Sequence, residues 1–376
     1  MKPLDPRSES AATPKVHPHT FATLDGLRGV AAIAVVLFHY PALVGRQIVP
    51  QGYLAVDFFF LLSGFVLTFA YQGRLASGWS LRQFLRVRVA RLYPLYCLGL
   101  LFGFLVNRLQ AIHGTSVGST STVLTFLGLG LVFLPYMGGP GTVIFPLNMP
   151  SWSVLMELLA NVIHAVFYKR PSTMKLLAGI VIGLTGILIA AIRLGNFDFG
   201  ATNPFAVFAL FRVLCSYSLG ILLFRFWQKT SVRWKVSPGV ISILLVAILA
   251  APIPGRFLVA YEVLASLLLF PMLVFAGAST QPKPRYLRVF LLLGQASYAI
   301  YVLQAPLVQL YTRIWANVAH HSAEVYRPWS GLLYACLLVA LALFVDYVYD
   351  LPARALLKRW LTKGEAKTQR ATIATR

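Results

Sequence analysis

Acidic side chains are scarce. Eleven Asp and Glu stand against 33 Lys and Arg, and residues of either charge make up only 12% of the 376-residue chain. That is about half the ~25% of soluble domains. With 58% of the residues hydrophobic, there is too little polar surface to enclose one or two water-soluble cores. Cysteine is nearly missing. Cys97, Cys215 and Cys336 each lie in an apolar stretch, with no CxxC and no Cys/His ligand spacing, so neither a disulfide framework nor a metal site is expected. The ten-residue alternating segments of a membrane β-barrel are missing too, as is any fixed-period repeat. No basic run is interleaved with aromatics on a polar scaffold. The net charge of +22 is therefore read as loop charge, and no nucleic-acid partner is expected.

What is there is a succession of long apolar runs. Crossing the hydrocarbon core takes ~20 apolar residues. Candidates fall near 24–43, 53–72, 92–110, 152–168, 174–193, 205–226, 236–251, 257–277, 290–311 and 330–350. Because each helix satisfies its own backbone hydrogen bonds in lipid, the expected fold is all-α. It is a polytopic membrane helical bundle of about ten transmembrane helices. A further stretch, 123–137, is shorter and ends in Pro135 and the breaker Gly138-Gly139-Pro140-Gly141. If it spanned, every later loop would invert. If it is re-entrant or interfacial, 25 of the 33 Lys and Arg fall on one side, as the positive-inside rule requires. That arrangement puts both termini in the cytoplasm. It gives a disordered tail over 1–22, one transmembrane domain over 23–350 and a basic tail over 351–376. The first apolar segment lacks an A-x-A site, so no cleaved leader is expected.

Ionisable groups within a span cost roughly 3 kcal/mol or more at mid-membrane and mark functional sites by default. Arg28 and His39 share the first span, eleven residues apart, almost three whole turns, so both project from one face about 16 Å apart along the axis. From the expected topology, His39, Asp57, Glu157 and Glu262 lie at similar depth below the outer surface and line one cavity there. Arg28 lies near the inner surface. Arg82, Arg86, Arg88 and Arg91 form the densest basic loop. Arg88 and Arg91 share a helical face suited to a phosphorylated ligand, to anionic headgroups or simply to fixing topology. Asp25 is expected to pair with Arg28. Asp346 and Asp350 are expected to be structural, and His320 and His321 solvated. His164 and Arg212 carry no assignment.

At these residues the chain resembles the membrane-bound acyltransferase family 3, the bacterial O-acyltransferases that modify surface and secreted carbohydrates. The resemblance rests on five blocks in family order. They are Leu24-Asp25-Gly26-Leu27-Arg28-Gly29 running on to His39, Gly52–Phe65 with Asp57, Arg88-Val89-Ala90-Arg91, Ser151-Trp152-Ser153-Val154-Leu155-Met156-Glu157, and Leu293–Tyr301 with Tyr298. One departure is plain: a His two residues before a Pro is replaced by Gln304 before Pro306. Gln cannot titrate near neutrality, so no proton transfer is assigned there.

The resemblance implies acyl-coenzyme A, most often acetyl, as a cytoplasmic co-substrate, with no permanently bound cofactor. It implies a hydroxyl of a sugar or glycolipid as acceptor and a bacterial inner membrane as location. Arg28, Arg88 and Arg91 would bind the donor. His39 would act as general base, with Asp57 or Glu157 orienting its ring; an acyl-His39 route is the alternative. Trp152, Ser153, Tyr298 and Gln304 would bind the acceptor or support the site, Trp152 more readily as an interface anchor. The rival class is a proton-coupled permease using the same His and carboxylates, against which no pair of matching halves is found.

Overall fold

The computed structural model describes residues 21–112, 114, 118–167 and 172–360. The tail expected over 1–22 lies outside them except for its last two residues, and so does the basic tail beyond 360. The helices are α1 (Ala22–His39), the single turn α2 (Pro41–Val44), α3 (Ala55–Ala76), α4 (Leu81–Ala111), α5 (Thr120–Leu131), α6 (Ser151–Phe167), α7 (Thr173–Leu194), α8 (Ala209–Lys229) and α9 (Pro238–Ala250). There follow α10 (Gly255–Leu264), joined by a π turn to α11 (Phe270–Ala278), then α12 (Pro284–Ile314) and α13 (Trp329–Val345). Among the described residues no strand forms; a single bridge joins Val143 to Thr202.

Eight helical segments among the described residues are long and apolar enough to cross a membrane: 22–39, 52–76, 81–111, 173–194, 205–229, 255–278, 284–319 and 329–360. Two further expected spans, α6 and α9, are shorter apolar helices, as is α5. Local chemistry sets several boundaries. Ser80 caps α4 in a reciprocal capping box with Gln83, and Ser172 caps α7, which ends on left-handed Gly195.

Successive long helices alternate in direction. Thr23 at the start of α1 donates to Thr280 just past α11, and Thr280 donates to Trp234 just before α9. Phe21 packs on Phe69 and Trp227 at the ends of α3 and α8, and Phe84 near the start of α4 stacks on His164 near the end of α6. The start of α1 therefore shares one end of the bundle with the ends of α3, α8 and α11, and the basic start of α4 meets the end of α6.

Lipid tails are as apolar as leucine, so close backbone approach at small residues holds such helices together. Gly64 of α3 meets Gly220 of α8, where a Cβ at Gly220 would stand 2.2 Å from the Leu61 carbonyl. Gly179, Gly183 and Gly186 of α7 do the same against α8. Gly26 and Gly29 of α1 seat Phe290 and Leu293 of α12, which makes α1 and α12 parallel and fixes their register. Gly220→Val is expected to destabilise the bundle by about 1–3 kcal/mol or more, because the obstacle is backbone. Gly73→Ala, with nothing within 4 Å, is expected to be neutral. Thermal unfolding of the two detergent-solubilised variants checks the pair; equal midpoints would refute the close approach.

The stretch 123–137 forms a short helix and a turn, not one long helix. At 1.5 Å per residue the twelve residues of α5 reach only ~18 Å. Its end is held against α4, where Tyr93 and Tyr96 donate to the carbonyls of Leu131 and Gly130 at 3.0 and 2.6 Å. Phe133 then takes a positive φ of 58°, and Tyr136 packs back on Phe126 at 4.8 Å between ring centroids. The chain thus turns after α5 and packs back against it.

Candidate active site: an arginine-lined cavity and a histidine beyond it

A cavity of about 500 Å³ opens at the end of the bundle where α1, α4 and α12 begin. Four guanidinium groups line it: Arg28, Arg88, Arg91 and Arg354. Arg28 bonds to Asp25 at 3.2 Å. Arg88, only 4% exposed, donates from Nη2 to Glu157 at 2.7 Å, and Ser63 adds a longer bond to the same carboxylate at 3.4 Å. The buried Nε of Arg88 has no partner. Arg354 is ion-paired with Asp350. Arg91 makes no ion pair among the described residues and stands in the combined field of Arg28, Arg88 and Arg354. Uncompensated guanidinium charge inside an apolar bundle is what a phosphorylated ligand would satisfy.

Ser153, Tyr301 and Phe59 lie at the other end of the cavity. Ser153 and Tyr301 share a hydrogen bond of 2.6 Å there, with Phe59 edge-on to Tyr301. Along α12 the lining runs from Leu291 to Tyr301, about 15 Å at helical rise. The α1–α12 register, Gly26 at Phe290 and Gly29 at Leu293, carries Tyr301 to the level of Leu37. The cavity therefore stops about half a turn short of His39.

His39 closes α1 and is half-buried. Its Nδ1 lies 2.8 Å from the Val35 carbonyl. A carbonyl can only accept, so Nδ1 carries the proton in the neutral ring and Nε2 keeps the free lone pair. That tautomer is the one a general base needs.

Beside it lies a second charged layer. Arg212, 1% exposed, bonds Asp57 through Nη2 at 2.6 Å and Nε at 3.2 Å. It also donates to the carbonyls of Phe199 at 2.7 Å and Tyr53 at 3.1 Å. Glu262 accepts from the Phe197 amide at 3.0 Å and from the Tyr53 hydroxyl. These two buried groups pin the loop between α7 and α8 on both sides of Asp198. Desolvation pushes the Asp198 carboxyl above the usual range, while the charges of Arg212 and His39 pull it back down. Asp198 is itself exposed on that loop and makes no hydrogen bond to His39 among the described residues; its charge acts on the ring through space.

A model of an acyltransferase domain matches residues 21–349. The chain belongs to acyltransferase family 3. It is an acyltransferase, built on apolar membrane-type helices. Protein 2 of the picA locus of Rhizobium radiobacter is 35% identical over 187 residues, 46% of this chain and 96% of that protein. ORF330 of Acidianus two-tailed virus, provisionally named an acetyltransferase, is 27% identical over 290 residues, 73% of this chain and 80% of that protein. No solved structure matches.

In this acyltransferase the expected site residues divide between two layers. Arg28, Arg88, Arg91, Ser153 and Tyr298 line the cavity, Tyr298 donating to the Leu92 carbonyl at 2.8 Å. Glu157 joins them, so its expected place beside His39 is corrected. The chain before α6 folds against α12, with Asn148 donating to the Val302 carbonyl at 3.0 Å, and α6 begins beside Tyr301, so Glu157 falls a turn below it. Asp57 and Glu157 are both taken up by arginines, and neither hydrogen-bonds to His39. Trp152 is no interface anchor: 7% exposed, its ring faces the Arg212 guanidinium at 5.6 Å and is covered by Gly200. Gln304 is fully buried, its Nε2 on the Tyr301 carbonyl at 3.2 Å, outside the cavity. Asp25 pairs with Arg28 as expected, and His164 is a packed residue bonded to Tyr217 at 3.2 Å.

Sequence reasoning missed Asp198, Arg212 as the partner of Asp57, and Arg354. The first lies in a loop with no motif, and the last was assigned to a tail. Only Arg212, a charge inside an apolar run, carried a usable signal.

Proposed function

We propose that this acyltransferase moves an acyl group, most simply acetyl, from acyl-coenzyme A to a hydroxyl of a carbohydrate or glycolipid. The observation that carries the reading is the arginine-lined cavity at one end of the bundle, leading along α1 and α12 toward the level of His39. Its guanidinium groups suit donor phosphates, and its ~15 Å length suits an extended pantetheine arm. The bundle then has ten crossings, α6 and α9 included, with both termini and the arginine end in the cytoplasm of a bacterial inner membrane. The basic residues concentrated at that end support this orientation.

In the reaction, the free Nε2 of His39 takes the proton of the acceptor hydroxyl as its oxygen attacks the thioester carbonyl. The tetrahedral adduct collapses by breaking the carbon–sulfur bond. The departing thiolate recovers the proton from the imidazolium, giving the ester and free coenzyme A. Asp198 offsets the charge of the imidazolium between the two transfers. Ser153, Tyr301 and Phe59 must separate for the thioester to reach His39.

The test uses the full chain in membranes with acetyl-labelled coenzyme A and host glycolipids. Label in the lipid or glycan fraction is expected, with Arg91→Ala raising KM for the donor about tenfold, the scale of one charge-assisted bond. Absence of label across a panel of acyl donors would sink the reading; proton-coupled uptake into proteoliposomes would replace it with the permease.

A further inference from the structure

The last helix does not stop where the family similarity does. From the π turn Asp346–Asp350 it runs on to Trp360, past residue 349, the end of the matched domain. π turns are rare and concentrate at functional sites. This one buries two acids, Asp346 at 2% and Asp350 at 0% exposure. Asp346 accepts from Gln295 of α12 at 2.5 Å, and the Tyr349 hydroxyl donates to the Pro94 carbonyl of α4 at 3.1 Å. The end of the helix is thereby fixed to α4 and α12, both of which contribute to the cavity wall.

Arg354 follows one turn later. It is ion-paired to Asp350, is 23% exposed and lines the cavity. A cation serving only topology works from any solvated position. A buried carboxylate that fixes a guanidinium at a cavity wall does something else. Burying Asp350 is costly unless it is paired, so the carboxylate cannot be released and the arginine stays aimed. Its second fork edge remains for another anion, since guanidinium has five donors. Arg91, without an ion pair among the described residues, lines the same cavity.

We propose that Arg354 is a donor-binding residue, gripping a phosphate of acyl-coenzyme A together with Arg91 while Asp350 holds its guanidinium in place. The proposal rests on the donor reading above. Its test is acetyl-coenzyme A binding to the full chain in detergent, with wild type, Arg354→Gln and Arg354→Lys compared. Arg354→Gln is expected to weaken binding about tenfold, and Arg354→Lys to recover part of the loss without the bidentate grip. In parallel, phenylglyoxal labelling of the wild type is read by mass spectrometry. Acetyl-coenzyme A is expected to protect Arg354 and to leave exposed Arg46, at the far end, unprotected. This arm holds even if a variant fails to fold. Wild type that binds while Arg354→Gln binds within twofold, or Arg354 that labels equally with and without donor, overturns the assignment alone. Wild type that binds no acetyl-coenzyme A overturns the donor reading and this assignment with it.

Discussion

Replacing His39 by alanine is expected to lower acyl transfer by about 10²–10⁴-fold, the usual worth of a general base, while the bundle stays folded. The fold should survive because the ring is half-buried and its one hydrogen bond goes to the Val35 carbonyl of its own helix. An i to i−4 bond of that kind ties nothing to a neighbouring helix. The reason for the rate loss is the tautomer. With Nδ1 committed as a donor, Nε2 is the only ring atom able to accept a proton, and no carboxylate among the described residues hydrogen-bonds to the ring. Asp198→Asn is expected to cost less, roughly tenfold, equivalent to ~1.4 kcal/mol, because it removes a charge that acts through space. Label transfer from acetyl-coenzyme A, at matched abundance and unfolding midpoint, checks both. Equal turnover by His39→Ala would remove His39 from the chemistry and leave the cavity without a reacting group. A larger loss from Asp57→Asn than from Asp198→Asn, in equally stable proteins, would return the orienting role to Asp57.

Hydropathy was enough to read the all-helical class and its apolar, membrane-type helices, eight of them among the described residues long enough to cross. It failed where depth along the chain had to be converted into depth in the bundle. Glu157 was placed beside His39 because its helix was taken to start at the surface. The fold of the preceding loop against α12, held by Asn148 on Val302, moves it down to Arg88. The Asp57–Arg212 pair spans 155 residues, and no local pattern links positions so far apart. Trp152 has the look of an interfacial residue, yet in the folded chain it covers a guanidinium. Arg354 was lost for a different reason. A hydropathy window ends where charges begin, so the helix was cut at 350, although its polar turn is what fixes it to α4 and α12. The blocks marking family resemblance put Arg28, Arg88 and Arg91 together, and the three line one cavity; Ser153, expected on the acceptor side, lines the same cavity.

Arg212→Leu is expected to destabilise the protein by about 3–5 kcal/mol, the cost of leaving one partner of a buried ion pair alone. Asp57 is 1% exposed, with no water to take the place of the guanidinium, and the carbonyls of Tyr53 and Phe199 lose their donors as well. Arg212→Lys should recover little, because an ammonium cannot reproduce the fork that meets Oδ1, Oδ2 and two carbonyls together. Adding Asp57→Leu to Arg212→Leu removes the orphaned charge and should restore a large part of the lost stability, as apolar replacements of buried pairs do elsewhere. Turnover should not recover with it. Arg212 is one of the two groups that fix the loop around Asp198, so the double variant would fold with that loop released on one side and the Asp198 charge no longer placed. Unfolding midpoints and label transfer, measured on both single variants and the double, separate the two effects. Stability and turnover that return together would mean that the pair serves the fold alone. Stability returning without turnover would show that the buried Asp57–Arg212 pair also positions Asp198.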